Sequence, residues 1–268
     1  ASFLVAGSVS WLYYSDRLVE FPLGVFAIAL STVILPSLSR SHANDSLQEF
    51  SRTIDWGLRM VLLIGIPSAV GLFLMARPLL ATLFNYGDFG AADVNMAGLS
   101  LMAYALGLPA FMLVKVLAPA FYSRKDTSTP VRIAIIALLT NSVFNIVFVV
   151  PMVMLDSPGP HAGLALATSL AAWVNAGLLY RGLRKKHIYR PESGWRRLAL
   201  QMGLAAMALA AVLVFAMPGT PSWLAWPVWS RVGSLLLWVS LGILSYFIAL
   251  HLAGLRIGSL LQQRHDER

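Results

Sequence analysis

Cysteine is absent from all 268 residues, so disulfides and thiolate metal sites are excluded and thiol usage says nothing about redox compartment. Charge is scarce too. Asp, Glu, Lys and Arg make up 12% of the chain, about half of the ~25% usual in soluble domains. Glycine-rich phosphate loops, nucleophile elbows and HExxH patterns are missing, which leaves no motif for covalent or metal-assisted chemistry. What is abundant is apolar surface: 58% hydrophobic residues and a mean hydropathy of +0.72. No single water-soluble core buries that much, and lipid is the solvent the composition fits. The formal charge of +8 points away from nucleic acid, because the cations sit in short tracts between apolar runs rather than on one patch.

A spanning helix needs about 20 mainly apolar residues. Seven stretches qualify: 18–39, 55–76, 94–118, 131–155, 161–182, 197–217 and 231–253, with residues 1–14 read as the end of an eighth. Pro22, Pro67 and Pro109 inside them are expected to kink helices. The opening ASFLVAGSVSWLYY has no basic flank and does not resemble a signal peptide, so the chain is read as a piece that begins inside a helix. If the seven spans alternate, sixteen of the 20 basic residues fall on one side, in segments 40–59, 119–132 and 181–197 and in the tail with Arg256, Arg264 and Arg268. Only Arg77 and Arg231 lie in the opposite loops. That bias predicts a cytoplasmic C-terminus. The opposite loop PGTPSWLAWPVW carries Trp223, Trp226 and Trp229, as an interfacial aromatic belt does.

Polar residues inside spans carry the functional signal, because charge at membrane depth is costly and faces a bundle interior or a wet cavity. Asp16, Arg17 and Glu20 stand at helical spacing where an apolar helix is expected to begin, and Gly24, Ala27 and Ser31 continue their face. Two readings stand: a cavity-lining guanidinium that meets an anionic substrate, or an interfacial ion pair with Arg17 snorkelling to headgroups. Asn141 and Asn145 lie four apart, with Thr168 in the next span; they read as a helix–helix hydrogen-bonding set or as an oxygen-lined cation site. Lys115 is a snorkelling cation or part of a gate. His161 and His251 have no metal partner at helical spacing and read as packing or interface residues.

The residues then become recognisable. SWLYYSDRLVEFPLGVFAIALSTVILPSLSR (10–40) and KVLAPAFYSRKDTSTPVRIA (115–134) resemble the MurJ (MviN) lipid II flippase family, within the MOP exporter superfamily, and DWGLRMVLLIGIPSAVGL (55–72) and HAGLALATSLAAWVNAGLLYRGLRK (161–185) match it in character and order. The resemblance implies an all-α polytopic transmembrane bundle, the C-terminal lobe of a MOP/MATE-like transporter. Residues 1–190 would be the lobe, from the end of the seventh helix through the twelfth. Residues 191–268 would be two added helices forming a lipid-tail groove, with a cytoplasmic tail. It implies a transporter rather than an enzyme, flipping lipid II to the periplasmic leaflet of the bacterial inner membrane by alternating access, with membrane lipids and a missing N-terminal lobe as partners. It places Ser10, Asp16 and Arg17 among cavity residues needed for function, with Glu20 in register. It sets Asn141, Asn145 and Thr168 where some members bind a cation, although Asn145 replaces a carboxylate; no cofactor is implied, and coupling to Na⁺, H⁺ or membrane potential stays open. The alternative is another exporter of the superfamily, moving drugs against cations or a polysaccharide-lipid.

Overall fold

A computed structural model describes residues 4–255, and every regular element in them is helical. In chain order these are α1 (Ser8–Pro22), a π-helical segment (Leu23–Ile28), α2 (Ala29–Ala43), α3 (Leu47–Leu74), α4 (Ala76–Leu83), α5 (Ala91–Tyr122), α6 (Ser128–Met154), α7 (Pro160–Lys185), α8 (Trp195–Ala216), α9 (Thr220–Ala225) and α10 (Val228–Leu252). Seven helical stretches are long and apolar enough to cross a membrane: Ser8–Ala43 taken as one, α3, α5, α6, α7, α8 and α10. The chain is a multi-pass membrane protein. The tail arginines Arg256, Arg264 and Arg268 lie outside the described residues.

The start departs from expectation. Residues 8–14, read from sequence as the end of a separate span, continue without a break into Ala43. The polar block Ser15-Asp16-Arg17 interrupts hydropathy but not helix geometry, since none of the three is a helix breaker. Pro22, expected to kink the helix, sits where it widens into the π turn. That turn has a readable purpose in the packing. The buried positions Ser8, Ser15, Val19 and Pro22 repeat as Ala27, Ile34, Leu38 and Ser41 with the same spacing, after a step of five residues across the turn. An uninterrupted α-helix would bring residue 26 to that face; the π turn adds one residue and restores the stripe. The same shift corrects the expected Gly24–Ala27–Ser31 face: Ala27 is fully buried against the lobe, on a different side from Arg17 and Glu20.

Helix α5 is the central post, with α1, α2, α3, α4 and α7 packed around it. Small residues set these approaches, as in membrane bundles generally. A Cβ on Gly107 would lie 2.5 Å from the Ser169 hydroxyl, and one on Gly57 would lie 2.5 Å from Ile34 Cδ1. Hydroxyls bond across the same seams: Ser15 to the Ala97 carbonyl at 2.7 Å and Ser169 to that of Ala103 at 2.8 Å. Helices α8 and α10 form a second core with one flank of α3, including Met60, Leu63, Met202, Leu209 and Tyr246. At the end away from the basic loops, Arg231 is buried and donates to the Trp226, Ala81 and Leu224 carbonyls and to Asn85 Oδ1, tying the 217–227 connection to α4. The outward faces of α6 and α10 expose Leu138, Leu139, Ile146, Leu236 and Ile248, a hydrocarbon-facing surface.

Candidate functional site

The side of Ser8–Ala43 turned away from the core carries the charged residues singled out from sequence. Arg17 Nη1 donates to Glu20 Oε2 at 2.9 Å, one helical turn on, and the guanidinium lies 5.0 Å from the centre of the Tyr13 ring. Both partners stay half open, with side chains 57% and 52% exposed. Asp16 and Glu20 also line a groove of about 390 Å³, closed on its other side by Tyr104 and Phe111 of α5 and Thr168 of α7. Arg17 therefore stands at the rim, joined to the groove through Glu20 and Tyr13. Ser10 continues the exposed stripe two turns from Arg17.

The amide set meets the same groove. Asn145 Nδ2 donates to Asn141 Oδ1 at 3.0 Å, Asn141 Nδ2 donates to Thr168 Oγ1 at 3.2 Å, and the Thr168 hydroxyl donates to the Leu164 carbonyl at 2.9 Å. A polar chain thus runs from α6 through α7 to the groove wall. At its far end Asn145 Oδ1 is buried without a donor. Lys115 is exposed on the face of α5 that also carries Phe111 and Tyr122, beyond the groove toward the basic loops. His161 behaves as a packing residue: fully buried, its ring 4.8 Å from that of Trp11 and its Nε2–H on the Met96 carbonyl at 3.0 Å. Among the described residues no group of three His, Asp or Glu could hold a metal ion.

Sequence reasoning missed several participants. Tyr104 and Phe111 are groove walls, but an aromatic inside a span carries no sign of what it faces. Asp55, 1% exposed, is the hub of a clasp at the basic-loop end. Its Oδ1 accepts from the Tyr189 hydroxyl at 2.6 Å, Trp195 Nε1 at 2.7 Å and the Glu192 backbone N–H at 3.2 Å, while Arg59 Nε donates to Oδ2 at 2.6 Å and Arg59 Nη2 to the Ser193 carbonyl at 2.9 Å. Burial first, and then the bond to Asp55, pushes the Tyr189 phenol far above its ordinary range. This clasp fixes the connection from α7 to α8, and with it the position of the C-terminal helix pair. Nearby, Lys186 donates to Asp126 Oδ2 at 2.5 Å, and that contact, helped by the Thr129 hydroxyl, holds the Asp126 carboxyl well below the usual carboxylate range.

Known proteins resemble the chain in sequence and in fold. The sequence profile of a family described as "Lipid II flippase MurJ" matches residues 1–230. The probable lipid II flippase MurJ of Vibrio cholerae is 45% identical over 260 residues, covering 97% of this chain and 48% of that protein. The Haemophilus influenzae counterpart is 44% identical over 267 residues, covering 97% and 51%. A solved structure of a lipid II flippase MurJ, in an inward closed conformation, superposes with a TM-score of 0.72 at 27% identity, over 92% of this chain and 47% of that one. The chain spans about half the length of the curated relatives it matches.

Proposed function

The chain belongs to the MurJ family of lipid II flippases, and from that premise we propose that it is the C-terminal part of a transporter that moves lipid II from the cytoplasmic to the periplasmic leaflet of the bacterial inner membrane for cell wall synthesis. The observation that carries the reading is the half-open Arg17–Glu20 pair at the rim of the groove lined by Asp16. A guanidinium is well suited to a pyrophosphate, which it grips with two parallel donors. Glu20 gives it a competing partner, so the anion displaces a carboxylate on arrival and is displaced by it on release. Asp16 beside them keeps the local field from becoming a trap. Binding and release by partner exchange is what alternating access asks of a site that must work in two states.

Sixteen basic residues on one side support a cytoplasmic C-terminus, and with that orientation the groove would lie toward the periplasmic half. The missing N-terminal lobe would close the open face of Ser8–Ala43. Lys115, on the same face of α5 nearer the basic loops, is proposed as part of the cytoplasmic gate. Residues 191–268 are proposed to lead the lipid tail along α8 and α10. Asn141, Asn145 and Thr168 link α6 to α7; the buried, unpartnered Asn145 Oδ1 favours a second role for them in holding a monovalent cation that couples transport. The test is complementation in cells depleted of their native flippase, using the full-length protein. Arg17→Glu should fail to support growth while Arg17→Lys retains part of it; normal growth with Arg17→Glu would remove Arg17 from the mechanism.

A further inference from the structure

Arg77 opens α4 at the end of the bundle away from the basic loops, just past the Leu47–Leu74 span. It is an arginine without an acceptor. Its Nε is buried and bonds to nothing, and none of the ion pairs among the described residues includes it. Arg231, the other arginine at this end, has acceptors for each of its three guanidinium nitrogens. A buried donor left without a partner is costly, and more so when charged, so Arg77 calls for an outside acceptor.

The surroundings say which kind. Gly98 of α5 forms the notch that holds the side chain: a Cβ there would lie 2.9 Å from Arg77 Cγ and 3.7 Å from Nε. Arg77 opens into a groove of about 190 Å³ whose other walls include Phe73, Leu213, Met217 and Thr220, with no carboxylate among the lining residues. Val214, also on the wall, is 57% exposed, so the groove is open along the hydrocarbon-facing flank of α8. Of the three tryptophans expected to form an aromatic belt here, Trp223 is buried in the core and Trp229, 84% exposed at the start of α10, is the one placed to meet headgroups. A fixed cation at headgroup depth above an apolar channel has the two-part chemistry of one phospholipid: a phosphate on the guanidinium and an acyl chain along α8. We infer that Arg77 and this groove bind an anionic phospholipid of the leaflet opposite the basic loops.

The experiment uses the full-length protein in nanodiscs with phosphatidylglycerol bearing a photoreactive acyl chain, and maps the adducts. Labelling of residues 213–220 is expected to fall about tenfold in Arg77→Gln, the size of one charge-assisted hydrogen bond. Arg77→Lys should keep part of it, and adducts on the basic 181–197 loop should stay unchanged as the internal control for folding. Gly98→Ala, which keeps the arginine but fills its notch, should lower the same adducts. Equal labelling of 213–220 in wild type, Arg77→Gln and Gly98→Ala overturns the site. So does equal labelling by a phosphatidylcholine probe, which removes the anionic preference, or labelling only by a polyprenyl-pyrophosphate probe, which assigns the groove to another lipid.

Discussion

Arg17 holds Glu20 at 2.9 Å on the one face of its helix that this chain leaves open, and each side chain keeps more than half of its surface free. A pair so exposed adds little to stability. The proposed exchange of partners needs such a pair, weak enough to open for an incoming anion and close enough to re-form afterward.

Glu20→Gln should therefore raise affinity for lipid II modestly, as loss of a weak competitor does, while slowing transport. Native mass spectrometry of the full-length protein with lipid II reads the first quantity and a liposome flipping assay the second. Unchanged affinity would show that the carboxylate does not compete.

Asp55 accepts from four donors, one of which, Arg59, also reaches the Ser193 carbonyl. Asp55→Ala leaves Arg59 Nε, the Tyr189 hydroxyl and Trp195 Nε1 without their acceptor, and should cost about 3 kcal/mol. The visible consequence is local: protease cleavage between Lys185 and Trp195 should accelerate strongly before the spans unfold. Equal cleavage rates in mutant and wild type would deny the clasp its role.

Gly107 and Gly177 make a paired test of the bundle seams. A Cβ at Gly107 meets Ser169 Cα at 2.7 Å, whereas one at Gly177 meets nothing within 4 Å. Both gain helix propensity as alanine, by up to about 1 kcal/mol. Gly177→Ala should be neutral or stabilising in a thermal unfolding measurement. Gly107→Ala should lose about 1–3 kcal/mol by forcing α5 and α7 apart, and equal stability of the two variants would contradict this packing.

The Asp126–Lys186 pair fixes a pH window. Because the folded carboxyl titrates below its unfolded value of 3.8, its contribution is complete above that value and is lost only as pH falls through the depressed one. Hydrogen exchange in the 123–129 turn should be flat, after correction for intrinsic rates, from about pH 5 to 8, where the unfolded carboxylate is already charged. Asp126→Asn should raise it across that range. Protection that declines between pH 7 and 5 would mean that another group controls the turn.

Hydropathy and the placement of basic residues made the spans legible, because lipid imposes a length and a polarity that sequence records directly. What they could not show is how helices run on beyond the bilayer: α3 starts at Leu47 rather than 55, since Gln48, Glu49 and Arg52 favour helix in water as readily as Leu does in lipid. The π turn was invisible because nothing in LGVFAI distinguishes a wide turn from a regular one; only the buried stripe does. In the groove, Asp16 and Glu20 stood out as charges in an apolar run. Thr168 was found as a polar residue, but that it joins them across α7 depends on packing that no local pattern encodes. At Asp55 only Arg59, four residues on, is a local partner; the other three donors come from the distant 189–195 connection, which no local pattern encodes.

The most direct test asks whether the position-17 cation meets the phosphates. With lipid II in liposomes holding the full-length protein, flipping should be lost in Arg17→Gln and partly retained in Arg17→Lys, with binding of lipid II falling about tenfold or more in the glutamine variant, as removal of a charge-assisted contact requires. Wild-type binding and wild-type flipping by Arg17→Gln would contradict the account.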